Sequence, residues 1–385
     1  MERKYEVRIF DYDTPGSPLI RRATTYDCTA IRYKQNFYTP GSFEIEIPLD
    51  AHFARAFQKY RLIEIGRRFA GLIQSVQFEA GRGADTLTVS GVDLLGMLAQ
   101  RITVPPGLAS SSAMAGYDGI IGASETVIKH FVRNNTITPA YVPRRIPGLA
   151  LAQDQGRGIA NDKYLSRYDV LTDVIGEIGR EAKLGLSVTL GVEDGSFLFD
   201  VVNGVDRSKN QQSVPPVVIS VNRRTAASMQ YSDSDAPLRN AFYTTMAGAS
   251  FADEALTLTY YRAEDEASPP AGIRRLETHM EISATHPTPG QEYNELKRLA
   301  LVAAGNHEGL LNFSADVNMA RVLYGEDYFL GDTVTVENLD WGITMDAQVV
   351  NMEVEYNGAG ESYKATFGTE RPSIMQTIQR AIKKG

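Results

Sequence analysis

The five histidines are the residues best suited to general-base or metal-binding chemistry, because imidazole titrates near neutral pH and ligates transition metals. None has a partner histidine four residues away, the spacing by which one helix face supplies two metal ligands. His307 precedes Glu308, but no second histidine completes an H-E-x-x-H motif. No G-x-S-x-G elbow presents a serine nucleophile. The sequence therefore predicts no catalytic set, no metal site and no cofactor from His52, His130, His279, His286 and His307.

Two acidic segments could offer carboxylates to a hard cation: residues 11–16 (DYDTPG) and 232–237 (SDSDAP). Neither has the ligand spacing and terminal glutamate of a calcium loop, and both have the composition of turns. Residues 358–362 (GAGES) lack the lysine of a phosphate-binding loop and lie between two strand patterns. We interpret all three segments as turns.

Arg157 lies between two glycines in residues 154–158 (DQGRG) and is the strongest single candidate for binding an anion. The alternative is structural, because a guanidinium group pairs well with a carboxylate and can anchor a nearby helix. Asp169 and Asp173 are the predicted partners, and we favour this structural role.

Cys28 is the only cysteine, so neither an intrachain disulfide nor a cysteine-based metal cluster can form. Its neighbours are those of a small buried apolar residue. Trp341 is the only tryptophan, and its place between two strand patterns predicts a packing role.

The charge balance argues against stable nucleic-acid binding. The chain has 385 residues, with 39 Lys and Arg against 47 Asp and Glu, for a net charge of −8. Binding to phosphates requires clustered lysine and arginine, whereas an acidic surface suits nucleic acid that slides past. No apolar run reaches the roughly 20 residues of a membrane span, and residues 1–10 lack a signal-peptide core. We expect no membrane anchor and synthesis in a cytoplasm.

The elements that must position these residues are mainly strands. Pro-Pro pairs at 105–106 and 215–216 mark domain boundaries, since two prolines continue neither a helix nor a central strand. Alternating apolar residues predict strands before the first pair and after the second, and helical periodicity appears between them. The predicted domains are 1–103, a β-barrel; 104–215, a peripheral α+β domain; 216–250 with 306–372, a second, split barrel; 251–305, a small inserted domain; and 373–385, a helix.

The two strand-rich sections resemble each other in order. Residues 61–66 match 332–338, with Ile63 and Ile65 opposite Val334 and Val336. The next four matched pairs share one and the same separation along the chain; they are Val76 with Met352, Phe78 with Val354, Leu87 with Tyr363, and Val89 with Ala365. This ordered series predicts an internal duplication. The alternative is that any two β-hairpins look alike.

Over nearly the whole chain, and most specifically in residues 144–179 and 330–368, the sequence resembles the baseplate hub, or tail-associated, proteins of tailed bacteriophages of the siphophage type. The resemblance is carried by RRIPGLALAQDQGRG and YLSRYDVLTDVIGEIG, and by an end section with a GD-V-V strand, a GI-DA-V turn and a closing TFG. The matching positions are Gly331, Asp332, Val334, Val336, Gly342, Ile343, Asp346, Ala347, Thr366, Phe367 and Gly368.

The resemblance implies a strand-rich α+β fold with two similar tube-forming barrels and two peripheral domains. It also implies a homotrimer at the distal end of the tail tube. Three chains with two barrels each would present six similar modules, which suits a junction between threefold and sixfold assemblies. The implied partners are the distal tail protein, tail tube proteins and a tip fibre or receptor-binding protein. Because the sequence ends after one short helix, we expect receptor binding and wall cleavage to reside elsewhere.

Two other functions stay open. A carbohydrate-binding adhesin could use the same strands, but it needs an exposed aromatic platform. A cell-wall-degrading tail protein is a second alternative, although no catalytic set is visible. The terminal apolar stripe either packs on its own barrel or docks another chain; it comprises Ile374, Met375, Ile378 and Ile382.

Overall fold

A computed structural model of the chain describes residues 5–12, 18–79, 81, 85–105, 117–160, 162–246, 258–261, 269–282 and 309–368. Backbone packing divides the chain into one compact unit, Met1–Gln230 with Phe313–Gly368, and another, Tyr231–Asn312 with Thr369–Gly385. The boundaries predicted at the proline pairs stay predictions. The predicted C-terminal helix, with Ile374, Met375, Ile378 and Ile382, lies outside the described residues.

The N-terminal section is built from strands, as the alternating apolar residues predict. Phe43, Ile45 and Ile47 alternate with polar residues, and all three are buried. The strands are β1 (Val7–Asp11), β2 (Ile20–Thr25), β3 (Ala30–Asn36), β4 (Ser42–Pro48), β5 (Leu62–Ile65), β6 (Phe69–Glu79) and β7 (Thr86–Asp93).

The middle section contains the two α-helices of the described residues. The helical periodicity predicted for this section corresponds to one buried apolar stripe on each helix: Val127 and Phe131 in one, Val174 and Ile178 in the other. The elements are β8 (Asp118–Gly122), α1 (Ser124–Val132), β9 (Leu149–Leu151), β10 (Asp162–Ser166), α2 (Leu171–Ala182), β11 (Gly185–Gly191) and β12 (Ser196–Val202). β8 pairs with β10, while β9, β11 and β12 form a three-stranded sheet.

The remaining strands return to the first section's sheet, apart from three. They are β13 (Asp206–Arg207), β14 (Val218–Ile219), β15 (Ala226–Ser234), β16 (Ala241–Met246), β17 (Leu258–Tyr261), β18 (Glu277–Ile282), β19 (Leu310–Val317), β20 (Thr333–Asn338), β21 (Ile343–Asn357) and β22 (Gly360–Gly368). β16, β17 and β18 form a separate three-stranded sheet.

One 14-stranded sheet joins the N-terminal and C-terminal sections. Its main path runs β15-β19-β22-β21-β3-β4-β7-β6-β5-β1-β2, with β13, β14 and β20 off this path. One apolar core lies under this sheet and includes Ile45, Val89, Val334 and Met352. The strand-rich α+β fold class is therefore confirmed, and the two similar sections share a sheet rather than standing apart.

Candidate functional site at the edges of the sheet

The two β-meanders of the large sheet have the same register. Val76 of β6 pairs with Val89 of β7, and Met352 of β21 pairs with Ala365 of β22. The offset in sequence from Val76 to Met352 equals the offset from Val89 to Ala365. The correspondence predicted from the sequence is confirmed at the level of backbone pairing.

A β-bulge occurs at the same place in both meanders. The register of β6 against β7 shifts between Ile73 and Ser75, and that of β21 against β22 shifts between Val349 and Asn351. The same constant offset that relates the paired residues also relates the two bulges. A bulge inserts one residue and redirects the strand beyond it, so its repetition is not expected of two unrelated hairpins.

The flanking strands repeat as well. Ile63 of β5 pairs with Gly71, and Val334 of β20 pairs with Ala347, the residue that corresponds to Gly71. Thus β20 holds the place of β5, as predicted, although the ladder in the second copy continues two residues further to Asn338.

The first two strands of each copy complete a four-stranded unit. Arg32 of β3 lies opposite Glu44 of β4. In the second copy, Ser314 Oγ of β19 lies 3.5 Å from Gln230 Oε1 of β15, which places these two side chains opposite each other. The sheet therefore contains a duplicated four-stranded unit: β3-β4-β7-β6 is the first copy and β15-β19-β22-β21 the second.

The two units meet through an antiparallel ladder between β21 and β3. Val354 pairs with Tyr33, and both side chains are buried, at 1% and 2% exposure. On the opposite face, Arg32 Nε donates to Glu355 Oε1 at 3.2 Å. This junction joins an apolar pair below the sheet to a charged pair above it.

The corresponding edge of the first unit is the end of β6. Beyond Ile73, no strand in the described part of the chain pairs with this side of β6. Phe78, the counterpart of Val354, is 69% exposed. Phe78 was matched with Val354 from the sequence, but the two residues differ in burial because β3 lies beside Val354, whereas no described strand lies on the corresponding side of Phe78.

The opposite end of the double unit is β15, the counterpart of β3. It is the terminal strand of the sheet, next to β19. Gln230 of β15 lies beside Ser314 of β19, and Tyr231 follows it in the strand. Tyr231 is 44% exposed, whereas Tyr33 is buried.

Arg157 has a structural environment, as predicted, but with different partners. Its guanidinium donates to Glu125 from Nε at 2.8 Å and from Nη2 at 2.9 Å, and Nη2 lies 3.5 Å from Asp200. Neither Asp169 nor Asp173 is bonded to it. Lys129 Nζ donates to Glu125 at 2.7 Å. Glu125, fully buried at the start of α1, is thus the centre of an ion-pair network.

The other candidate residues have structural surroundings. His130 Nε2 lies 2.9 Å from the buried Asp118 carboxylate, and His52 and His279 are exposed; His286 and His307 lie outside the described residues. Residues 358–359 form the predicted hairpin turn between β21 and β22, and residues 360–362 already belong to β22. In the acidic segments, Asp11 bonds Arg61, and Leu238 N donates to Asp235 O within a turn. The described residues contain no group of three potential metal ligands.

Cys28 is buried, as predicted, and burial raises the pKa of its thiol to about 12. Trp341 contradicts its prediction. It lies in the turn between β20 and β21, is 80% exposed, and is flanked by the exposed Leu339. The longer ladder of the second copy carries this turn away from the core, which sequence spacing did not reveal.

The motif residues of the end section hold the sheet together. The Asp332 carboxylate accepts hydrogen bonds from Val205 N at 2.8 Å, Phe329 N at 3.0 Å and Arg207 Nε at 2.7 Å. Gly331 has φ +93°, and a Cβ there would meet the Phe37 ring at 2.2 Å. The GD pair is therefore an architectural feature.

A family model for siphovirus ReqiPepy6 Gp37-like proteins matches residues 6–369. The chain belongs to this family. The resemblance to siphophage tail proteins drawn from the sequence is confirmed. No curated protein sequence matches the chain. Within the described ranges, no helix is long and apolar enough to cross a bilayer.

Solved structures of tail proteins, and one chain of a PdpA-VgrG complex, share the fold of this chain. A tail protein from Neisseria meningitidis MC58 aligns with TM-score 0.54 and 14% identity, over 95% of this chain and 97% of that one. The tail protein gp18 of a Listeria monocytogenes EGD-e prophage aligns with TM-score 0.53 and 10% identity, over 99% and 100%. A Francisella PdpA-VgrG complex contains a chain with TM-score 0.53 and 10% identity, over 97% of this chain and 60% of that one.

Sequence reasoning located the repeat but missed the two exposed positions. Phe78 and Tyr231 are aromatic residues within strand patterns, and the pattern alone does not say whether a neighbouring strand covers them. The alignment of Phe78 with Val354 was the available signal, because it raises the question of which strand covers each of the two residues.

Proposed function

We propose that this Gp37-like protein is a structural component of the phage tail tip that forms a trimeric ring with pseudo-sixfold symmetry. The ring surrounds the DNA channel at the distal end of the tail tube and joins sixfold tail proteins to threefold tip components. Its partners are the distal tail protein, tail tube proteins and a tip fibre or receptor-binding protein.

The observation that supports this proposal is the doubled four-stranded unit in one continuous sheet. The two four-stranded units follow each other in the same strand order, so the double unit begins with β15 and ends with β6. β15 corresponds to β3 and β6 corresponds to β21, the two strands that form the internal junction. Copies that associate head-to-tail form a ring when the rotation from one copy to the next closes on itself. Three chains then contribute six units.

The face of the sheet opposite the core fits the wall of a DNA channel. Along β3, β4 and β21 this face carries charged side chains and no large apolar ones: Arg32, Lys34, Glu44, Glu46, Glu353 and Glu355. Arg32 is itself paired with Glu44, Glu46 and Glu355. A wall whose cations are neutralised by neighbouring carboxylates offers phosphates little attraction.

The mass of the purified full-length chain in solution tests the proposal. We expect a concentration-dependent species with three times the chain mass of 42.4 kDa, measured by native mass spectrometry and sedimentation. A chain that stays monomeric at every concentration, also when tail partners are added, would contradict the ring.

Trp341 supports one second candidate function. Its 80% exposure, next to the exposed Leu339, provides an aromatic surface of the kind on which a carbohydrate-binding adhesin relies. We expect Trp341→Ala to change the free energy of unfolding by no more than about 0.5 kcal/mol, because the side chain packs on little. Retention of host cell walls by the unaltered chain, and its loss in this variant, would favour the adhesin.

A further inference from the structure

We propose that two arginines and two exposed apolar neighbours form a docking surface for a segment of another protein that carries both carboxylate and apolar side chains. The surface comprises Arg101, Tyr141, Val142 and Arg144, and we call it the arginine surface. The inference goes beyond the proposed ring and does not depend on it, because all four residues belong to one chain.

The two segments that meet at the arginine surface contain no acidic residue, although the whole chain has a net charge of −8. Residues 94–117 and 126–153 include neither aspartate nor glutamate. Their lysines and arginines are Arg101, Lys129, Arg133, Arg144 and Arg145. Because Lys129 pairs with Glu125, the charge that is left to attract a carboxylate belongs to the arginines.

Arg101 and Arg144 lie side by side, and both are half-buried. Arg101 Nε donates to Arg144 O at 2.8 Å, and its Nη1 donates to Gln100 O at 3.2 Å. Arg144 Nη2 donates to Ile102 O and, at 3.3 Å, to Asn135 Oδ1. Within the described residues, every hydrogen bond from these two guanidinium groups therefore ends on an uncharged oxygen. Half-buried arginines more commonly have a carboxylate partner.

The electrostatic environment of Arg144 also lacks an available anion. Burial lowers the pKa of its guanidinium and the charge of Arg101 lowers it further, whereas Asp118 has the opposite effect. Asp118 is fully buried, and its carboxylate already accepts hydrogen bonds from Asn134 at 3.0 Å and Asn135 at 2.9 Å. An external carboxylate would supply the negative charge that the protein does not place here.

Both arginines have donors left for such a carboxylate. In the described part of the chain, Nη2 of Arg101 and Nη1 of Arg144 have no acceptor. A carboxylate accepts from two such groups at once, as Glu125 does from Arg157 elsewhere in this chain, at 2.8 and 2.9 Å.

The backbone around Arg144 holds its guanidinium in place before any partner arrives. Arg144 ends the 3-10 turn Val142–Arg144, and its Nη2 is bonded to the buried Asn135. The Asn135 amide is itself fixed, because Oδ1 accepts from Val104 N at 2.9 Å and Nδ2 donates to Phe131 O at 2.9 Å. A preorganised donor loses little conformational entropy on binding.

The apolar half of the surface indicates a protein partner rather than a phosphate polymer. Tyr141 is 67% exposed and Val142 is 72% exposed, and both belong to the turn that carries Arg144. Tyrosine and arginine are enriched at the centres of protein interfaces. A phosphate polymer binds through cations and gains nothing from an exposed valine, whereas a peptide with apolar and acidic side chains contacts both halves.

Fluorescence anisotropy with the full-length chain tests the proposal. The probe is a labelled octapeptide of alternating leucine and glutamate, and its counterpart has glutamine in place of glutamate. We expect the acidic peptide to bind at least fivefold more tightly than the counterpart. Its affinity should fall between 50 and 300 mM salt, because the guanidinium groups are partly exposed to solvent.

Two variants locate the binding site. Arg144→Gln and Tyr141→Ser should each weaken binding of the acidic peptide at least fivefold. The Tyr141 side chain is mostly exposed, so its replacement should leave the circular dichroism spectrum unchanged. Arg180→Gln, at an exposed arginine of α2, is the matched control and should bind as the unaltered chain does.

An acidic peptide that does not bind, or that binds both variants as tightly as the unaltered chain, would overturn the proposal. Inorganic phosphate that displaces the peptide, and that binds the Tyr141→Ser variant equally well, would assign the two arginines to phosphate and overturn the protein partner. Neither result bears on the ring, which the mass in solution tests separately.

Discussion

Replacing Glu125 with glutamine is expected to lower the free energy of unfolding of its module by about 3 kcal/mol at pH 7. The carboxylate is fully buried and accepts hydrogen bonds from Lys129 and from both Nε and Nη2 of Arg157. Without it, Lys129 and Arg157 keep only Asp200 as an anionic partner, at 3.2 Å and 3.5 Å, and a buried charge with weaker pairing is costly.

The same substitution should change the dependence of stability on pH. Burial alone would raise the pKa of Glu125, but the hydrogen bonds from Arg157 and Lys129 outweigh it and lower the pKa from 4.5 to about 2. A carboxyl whose pKa is lower in the folded state stabilises the protein above its unfolded pKa. The contribution is complete above about pH 5 and is lost as pH falls from 4.5 towards 2.

Hydrogen exchange of the α1 amides, compared between the two proteins at pH 7 and pH 3, measures this effect locally. We expect a large difference in protection at pH 7 and a smaller one at pH 3. Glu193→Gln, at an exposed position in the same module, is the matched control and should leave protection unchanged. Equal protection of α1 in the Glu125→Gln variant and the unaltered chain at pH 7 would refute the role of the network.

Asp332→Ala is expected to destabilise the large sheet by about 3 kcal/mol, since it removes the buried carboxylate that accepts three hydrogen bonds, one of them from the Arg207 guanidinium. The carboxylate connects segments far apart in sequence: Val205 N and Arg207 Nε on one side, and Phe329 N on the other. Its removal should loosen the pairing of β13 with β20 first, because Arg207 lies in β13.

The urea midpoint, followed by far-ultraviolet circular dichroism, reports the loss for Asp332→Ala. Asp340→Ala is the matched control, because Asp340 is an exposed aspartate in the turn after β20. Equal midpoints for the two variants would show that the motif aspartate is not a structural centre.

Much of the fold could be predicted from local patterns in the sequence. Strand alternation at Phe43, Ile45 and Ile47 and the helical stripe at Val127 and Phe131 are properties of a few consecutive residues, and burial follows them. The constant offset between the two copies was also visible, since equal hairpin lengths leave equal separations along the chain.

Contacts between distant segments were not predictable in the same way. Arg157 was assigned to aspartates close in sequence, whereas its partner Glu125 begins a helix 32 residues earlier. Trp341 was expected to pack against the protein. The longer ladder between β20 and β21 instead places its turn away from the core, and the side chain is exposed. Phe78 has the pattern of an inward residue, and its exposure depends on which strand lies beside it. These outcomes depend on tertiary neighbours that periodicity does not specify.

The central claim is that three copies close a ring of six equivalent four-stranded units. Electron cryomicroscopy of the assembled full-length chain, averaged without imposed symmetry, tests it most directly. The account predicts a closed threefold particle with six similar lobes around a central channel. An open filament, or a closed particle without six similar lobes, would contradict it.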